Sequence, residues 1–303
     1  MPTKLTRTIS FILTVIFIPL LITTHISQAV EKEEAPDWNP LRIGSDTIHL
    51  TFDAYIAYGS VSGFTQAGLG GAPGTGSSGR PKIKDDLGIN DAITGNFSLE
   101  LGWKQHSLDM AAHLINLKGE NTLDTPLVFH GQTYPAGTRI DSEIKSNWYE
   151  VAYRYRFPLG QNKSTSTCPN YQNPFSWDRF TVIPTVGVAF WDFSTQLQQS
   201  GITNKRDYRK VTPRLGVLLE WNPLRKFSLV GTAIGSIPLN NEVHIYTLGL
   251  TAKYDLIQKN WFNLALMVGV EYDHIDFEDS QTFPNKVRIH LGPMVTGGLQ
   301  IKF

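Results

Sequence analysis

The run Tyr272-Asp273-His274-Ile275-Asp276-Phe277-Glu278-Asp279 gathers four carboxylates around one histidine. An Asp–His pair can orient and activate a water when the two side chains lie within hydrogen-bond reach, and grouped carboxylates supply the oxygen ligands that calcium takes. Neither chemistry is carried further by the surrounding residues. Alternation puts Asp273 and His274 on opposite faces, no matching Asp pair is identifiable on a facing strand, and the loop spacing of a calcium site is missing. His49, His113 and His290 share an inward parity, but none is spaced with a second ligand as zinc sites are, so they read as hydrogen-bonded interior histidines. His106-Ser107 holds the residue types of lipid ester hydrolysis, yet it sits at a tight turn without a partner acid. The Gly-rich stretch Leu69 to Lys82, with Gly70-Gly71-Ala72-Pro73-Gly74-Thr75-Gly76, lacks the Gly-Lys-Ser/Thr ending and following helix of a phosphate loop. It reads as a surface loop. No catalytic residue, metal or cofactor is therefore assigned.

The elements that position these residues follow from composition and pattern. The 303 residues carry 27 Lys and Arg against 27 Asp and Glu, a formal charge of zero that gives no reason to expect a nucleic-acid partner. With 11% aromatic residues and 26 glycines the chain has the apolar surface to order itself, and the single Cys168 excludes a disulfide scaffold or a cysteine zinc site. Lys4 and Arg7, then the apolar Ile9 to Ile22, then Ser27-Gln28-Ala29 form an export signal, so residues 1–29 are expected to be removed. Residues 30–45, with Glu31-Lys32-Glu33-Glu34, Pro36 and Pro40, read as a polar periplasmic lead-in to a single unit over 46–303.

That unit alternates with a period of two. Ile48, Leu50, Phe52, Ala54, Ile56 and Tyr58 share one face while His49, Thr51, Asp53 and Tyr55 share the other. Ten such segments recur, the last assigned with Val287, Ile289, Leu291, Val295, Leu299, Ile301 and Phe303 outward. The predicted fold class is all-β: a transmembrane antiparallel up-and-down β-barrel of about ten strands. The opposite face offers Asp53, Glu100, Asp109, Glu150, Glu220, Glu271 and Asp273 against Arg154, Arg156, Arg214, Lys253, Arg288 and Lys302. A near-balanced set suits a narrow lumen, where a buried charge must find a partner.

Link lengths point the same way. Ser60 to Gly95, Lys118 to Glu143, Phe193 to Arg209, Ser236 to Glu242 and Asp276 to Asn285 are mostly long. Lys104-Gln105, Asn222 to Lys226 and Asp255 to Asn260 are tight. Long loops at one end and short turns at the other mark an outer-membrane barrel. Pro158 to Asp178, which holds Cys168, breaks the rule and reads as a periplasmic excursion. Trp103, Tyr155, Phe157, Phe180, Trp221, Phe227, Tyr254, Phe262 and Phe303 all fall at the tight-turn end, as an interfacial girdle requires.

The run Phe129-His130-Gly131-Gln132-Thr133-Tyr134-Pro135-Ala136-Gly137-Thr138, the strand Tyr153-Arg154-Tyr155-Arg156-Phe157, and Leu291-Gly292-Pro293 leading to Phe303 resemble a widespread group of small Gram-negative outer-membrane barrels. The resemblance implies fold and location and brings no site with it. Expected partners are outer-membrane lipid and lipopolysaccharide, and the assembly machinery through the terminal Phe303; a monomer with a largely closed, charge-paired lumen and outer loops as its working surface is expected. Two alternatives stand beside it. One is a narrow channel for small solutes. The other is a hydrolase with a rim site, because acids and a histidine above a ten-stranded barrel resemble the omptin-type outer-membrane proteases.

Overall fold

The computed structural model describes residues 42–43, 46–66, 80–129, 131–159, 179–224, 226–237, 243–259, 261–280 and 285–303. The export signal, most of the lead-in, the Gly-rich run over 67–79 and the excursion over 160–178 with Cys168 lie outside these residues.

Ten strands make the barrel: β1 (Asp46–Gln66), β2 (Asp91–Trp103), β3 (His106–Thr122), β4 (Arg139–Tyr155), β5 (Phe180–Gln199), β6 (Ile202–Leu224), β7 (Phe227–Ser236), β8 (Val243–Lys259), β9 (Phe262–Glu278) and β10 (Lys286–Lys302). Each pairs antiparallel with its neighbours in sequence. The sheet closes where β10 pairs with β1, from Lys302 opposite Thr51 to Lys286 opposite Gln66. This is the antiparallel up-and-down transmembrane barrel that the alternation predicts, and the described residues hold no helix long and apolar enough to cross a membrane.

Strand alternation sorts the side chains. Phe97, Leu101, Leu108, Met110, Val151, Val186, Val188, Leu215, Leu219, Leu248, Leu250, Val268, Val270 and Val295 all project outward and are exposed. A continuous apolar wall of this extent in water would be a large uncompensated exposure, so it fits hydrocarbon as its solvent. Trp103, Phe157, Tyr254 and Phe303 end this wall beside the tight turns. There Phe180 stacks on Trp221 with ring centres 5.8 Å apart, and Phe262 meets Phe303 at 5.7 Å.

The interior has two layers, where the sequence reading expects charge alone. Toward the tight turns it is polar. Toward the long links it is an apolar core built of Ile115, Ile144, Trp148, Trp191, Phe193, Ile245, Ile275, Phe277, Ile289 and Leu291, all fully buried. Trp191 lies 5.2 Å from Phe193 and 5.3 Å from Phe277, and Tyr208 lies 4.8 Å from Phe277. The Trp191 Nε1–H donates to Ser146 Oγ at 2.9 Å, which satisfies the one polar atom of that ring.

Ile83, Leu87 and Ile89, from the first long link, are buried in the same core. Their segment is held by its own turn, in which the Lys82 N–H donates to Asp86 Oδ2 at 2.7 Å, and by β3, whose Asn121 Nδ2 donates to the carbonyls of Asp85 and Asp86. Gly88 turns the chain back at φ +67°, and a Cβ there would sit 2.3 Å from the Glu120 carbonyl oxygen. Glycine is required for both reasons.

The third long link differs from expectation. Instead of a loop over Phe193 to Arg209, β5 and β6 continue as a paired hairpin to a turn at Ser200-Gly201, whose φ values are 44° and 85°. Positive φ at both central residues is the turn that matches strand twist. Much of this extension alternates one polar residue with another, as in Thr195-Gln196 and Thr203-Asn204-Lys205, so it carries little of the apolar signal by which strands are read.

Candidate functional site

The polar layer encloses a cavity of about 250 Å³ lined by Asp53, Glu100, Asp109, Glu150, Arg154, Arg156, Arg214, Glu220, Lys253, Glu271 and Lys302, with Tyr55, His113 and Thr247 among them. Each projects from an inward position of its strand. Glu100 and Asp109 stand directly opposite on β2 and β3, and Arg154 enters from β4, where its register partner is Ser107. Two carboxylates face each other there, and the guanidinium's planar fork joins them.

Arg154 reaches Glu100 at 3.2 Å and Asp109 at 2.9 Å. Arg156 continues the chain to Glu100 at 2.9 Å and Glu220 at 3.0 Å, and His49 Nε2 lies 3.6 Å from Glu100. Deeper in, Arg214 contacts Glu150 at 2.5 Å and donates to Thr247 Oγ1 at 3.3 Å. Gln300 Nε2 donates to Asp53 at 2.8 Å. The Tyr55 hydroxyl donates to Glu271 at 2.9 Å. Among the described residues Asp53, Glu271 and Asp273 make no ion pair within 4.0 Å, and Glu271 Oε1 and Asp273 Oδ1 are buried without a hydrogen-bond partner.

Arg288, expected among the lumen charges, does not face the lumen. Its side chain is 46% exposed, pairs with Asp276 at 2.8 Å and lies over the Phe64 ring at 5.7 Å on the outer wall. The cause is an insertion in β10. Leu291 opposes Val61 and Met294 opposes Gly59, so Gly292 and Pro293 together face the single Ser60. One extra residue inverts the side-chain parity of everything N-terminal to it. Val287, Ile289 and Leu291, expected on the outside, are fully buried, while His290 moves from the expected lumen face to the wall. The Gly-Pro dipeptide inside a strand was the available signal, since proline there marks edges and bulges.

The other histidines stand as follows. His113 Nδ1 is 2.7 Å from Asn96 Oδ1, and its ring stacks on Trp148 at 4.4 Å. His106 contacts the Tyr153 hydroxyl at 2.5 Å beside its turn, while Ser107 is buried on the opposite parity. At the long-link end Asp276 pairs with Arg288, Glu278 with Lys286 at 2.7 Å, and Asp279 accepts the Asn285 N–H at 2.8 Å. These three carboxylates do not converge, and among the described residues no group of three or more His, Cys, Asp or Glu is arranged to hold a metal. Asp273 is buried inside while His274 lines a groove on the wall, so the pair cannot share a water.

The class these features define is a ten-stranded transmembrane β-barrel with a charged chamber under an apolar core. No protein-family model matches the sequence, and no curated protein does. Among solved structures, the outer membrane protease OmpT from Escherichia coli is 10% identical, with a TM-score of 0.48 over 89% of this chain and 99% of that one. Ail, the attachment invasion locus protein of Yersinia pestis, is 9% identical with a TM-score of 0.35 over 84% and 99% of the two chains. Neisserial surface protein A is 14% identical with a TM-score of 0.31 over 84% and 97%. These three scores lie below 0.5, so the barrel class rests on the strand pairing and the apolar wall.

Proposed function

We propose that the chain is an integral barrel of the Gram-negative outer membrane, closed to solute flow, which presents a working surface at its long-link end. Outer-membrane lipid and lipopolysaccharide surround its wall, the terminal Phe303 serves the assembly machinery, the barrel acts as a monomer, and residues 1–29 are its export signal. The observation that carries the closed lumen is the core of Trp148, Trp191, Phe193 and Phe277, which fills the barrel above the charged chamber with fully buried side chains. Water does not traverse a packed apolar layer. The charges below it then act first as stability elements, because each ion pair offsets the cost of keeping its partner from bulk water.

Folded protein in planar bilayers is expected to give no steady single-channel conductance. A steady conductance altered by Glu150→Gln or Arg154→Gln would overturn the closed-lumen reading in favour of a narrow channel.

A further inference from the structure

The insertion at Gly292-Pro293 does more than bury three aliphatic residues: it brings two imidazoles together. By turning His290 outward it sets that residue directly opposite His274 on β9. The Nδ1 atoms of the two rings are 2.9 Å apart, and the Tyr272 hydroxyl lies 2.9 Å from the same Nδ1 of His290. That nitrogen has either one proton or one lone pair, so it can fully satisfy one of these neighbours as a hydrogen-bond partner. His290 Nδ1 thus has an imidazole nitrogen and a phenol oxygen both at 2.9 Å, a donor set better matched to a shared cation than to one another. Bulges commonly re-aim a side chain next to a functional site.

We propose that His274, His290 and Tyr272 form a binding site for a late first-row transition-metal cation, of the Cu²⁺ or Zn²⁺ type, on the outer wall of the barrel. Imidazole nitrogen is the ligand these ions share. With metal bonds of about 2.0–2.1 Å, the edge of a tetrahedral site is about 3.3 Å, so the two contacts to His290 Nδ1 need to open by a few tenths of an ångström and the Tyr272 hydroxyl and His274 Nδ1 need to take up the same spacing. Rotation of partly exposed side chains supplies that. The groove in front, lined by Ala233, Ile234, Gly235, Tyr246 and Leu248, leaves the remaining coordination position open to a lipid headgroup or water. Tyr246 stacks on His274 at 6.0 Å and steadies that ring. The nearby charge of Arg288 is compensated by Asp276. Three protein ligands with an open position are the arrangement of reactive rather than structural metal sites.

The test is titration of the full, detergent-folded chain with Cu²⁺ alone and with Zn²⁺ alone. One ion per chain is expected, with affinity falling at least about tenfold in His274→Ala and in His290→Ala. A phenolate-to-Cu²⁺ absorption band lost in Tyr272→Phe is expected alongside. Retained cold-gel migration of each variant as a folded barrel separates lost binding from lost folding. Absence of saturable binding, or unchanged binding in the His274→Ala/His290→Ala double variant, would overturn the site, whichever way the conductance experiment falls.

Discussion

Replacing Arg214 by alanine is expected to destabilise the folded barrel by about 3–5 kcal/mol, the cost of leaving a buried charge without its partner. The Arg214 and Glu150 side chains are 2% and 5% exposed, and their contact is 2.5 Å. Without the guanidinium, the Glu150 carboxylate faces the polar chamber with no cation in contact, and Thr247 Oγ1 loses a donor. The same experiment contains its controls. Arg139→Ala breaks the pair with Glu120, whose side chains are 72% and 54% exposed, and should change stability by no more than about 1 kcal/mol. Glu271→Gln and Asp273→Asn remove carboxylates that make no ion pair within 4.0 Å among the described residues and each keep a buried oxygen without a hydrogen-bond partner, and should leave stability unchanged or raised. Denaturant midpoints followed by far-ultraviolet circular dichroism rank the four variants. Equal midpoints for Arg214→Ala and Arg139→Ala would contradict a lumen held by buried pairs.

Trp191→Ala should be comparably severe, at about 3–5 kcal/mol, because it empties the middle of the apolar core. The ring is fully buried, contacts Phe193 and Phe277, and donates to Ser146, whose hydroxyl would then be stranded. Trp103→Ala is the companion variant. That ring sits 47% exposed at the tight-turn end and should cost much less in detergent. The two tryptophans lie on opposite sides of the sheet and toward opposite ends of the barrel, one facing outward and one inward. A Trp191→Ala unfolding free energy within about 0.5 kcal/mol of the parent, the range of an ordinary surface change, would mean that the upper lumen is not packed.

Much of this architecture was legible because membrane barrels write their two faces into alternate residues. The outward parity of Val186, Val188, Leu248 and Leu250, and the inward positions of Glu100, Arg154 and Arg214, follow from a period of two alone. Distances were not legible, since the approach of Arg154 to Asp109 depends on how neighbouring strands are staggered. Parity also fails at an insertion, which is why Arg288 and His290 change sides. The apolar core had a signal that alternation masks: in Leu114-Ile115, Trp148-Tyr149 and Phe190-Trp191-Asp192-Phe193, both parities turn apolar toward the long links. A strand apolar on both faces is buried on both. Nothing local marks Ile83, Leu87 and Ile89 as part of that core, because it is tertiary packing that carries the link back over β3.

Alternate residues of each strand face hydrocarbon and a filled lumen. Single spin labels placed in a Cys168→Ser background at the neighbours Leu250 and Thr251, and at Val217 and Leu218, test it most directly in lipid vesicles. Labels at Leu250 and Val217 should be relaxed by lipid-dissolved oxygen and spared by a water-soluble nickel chelate, whereas those at Thr251 and Leu218 should show weak oxygen relaxation. Equal oxygen accessibility at both members of each pair, or strong nickel relaxation at Leu250 and Val217, would mean that the strands do not present one face to lipid and the other to a filled lumen.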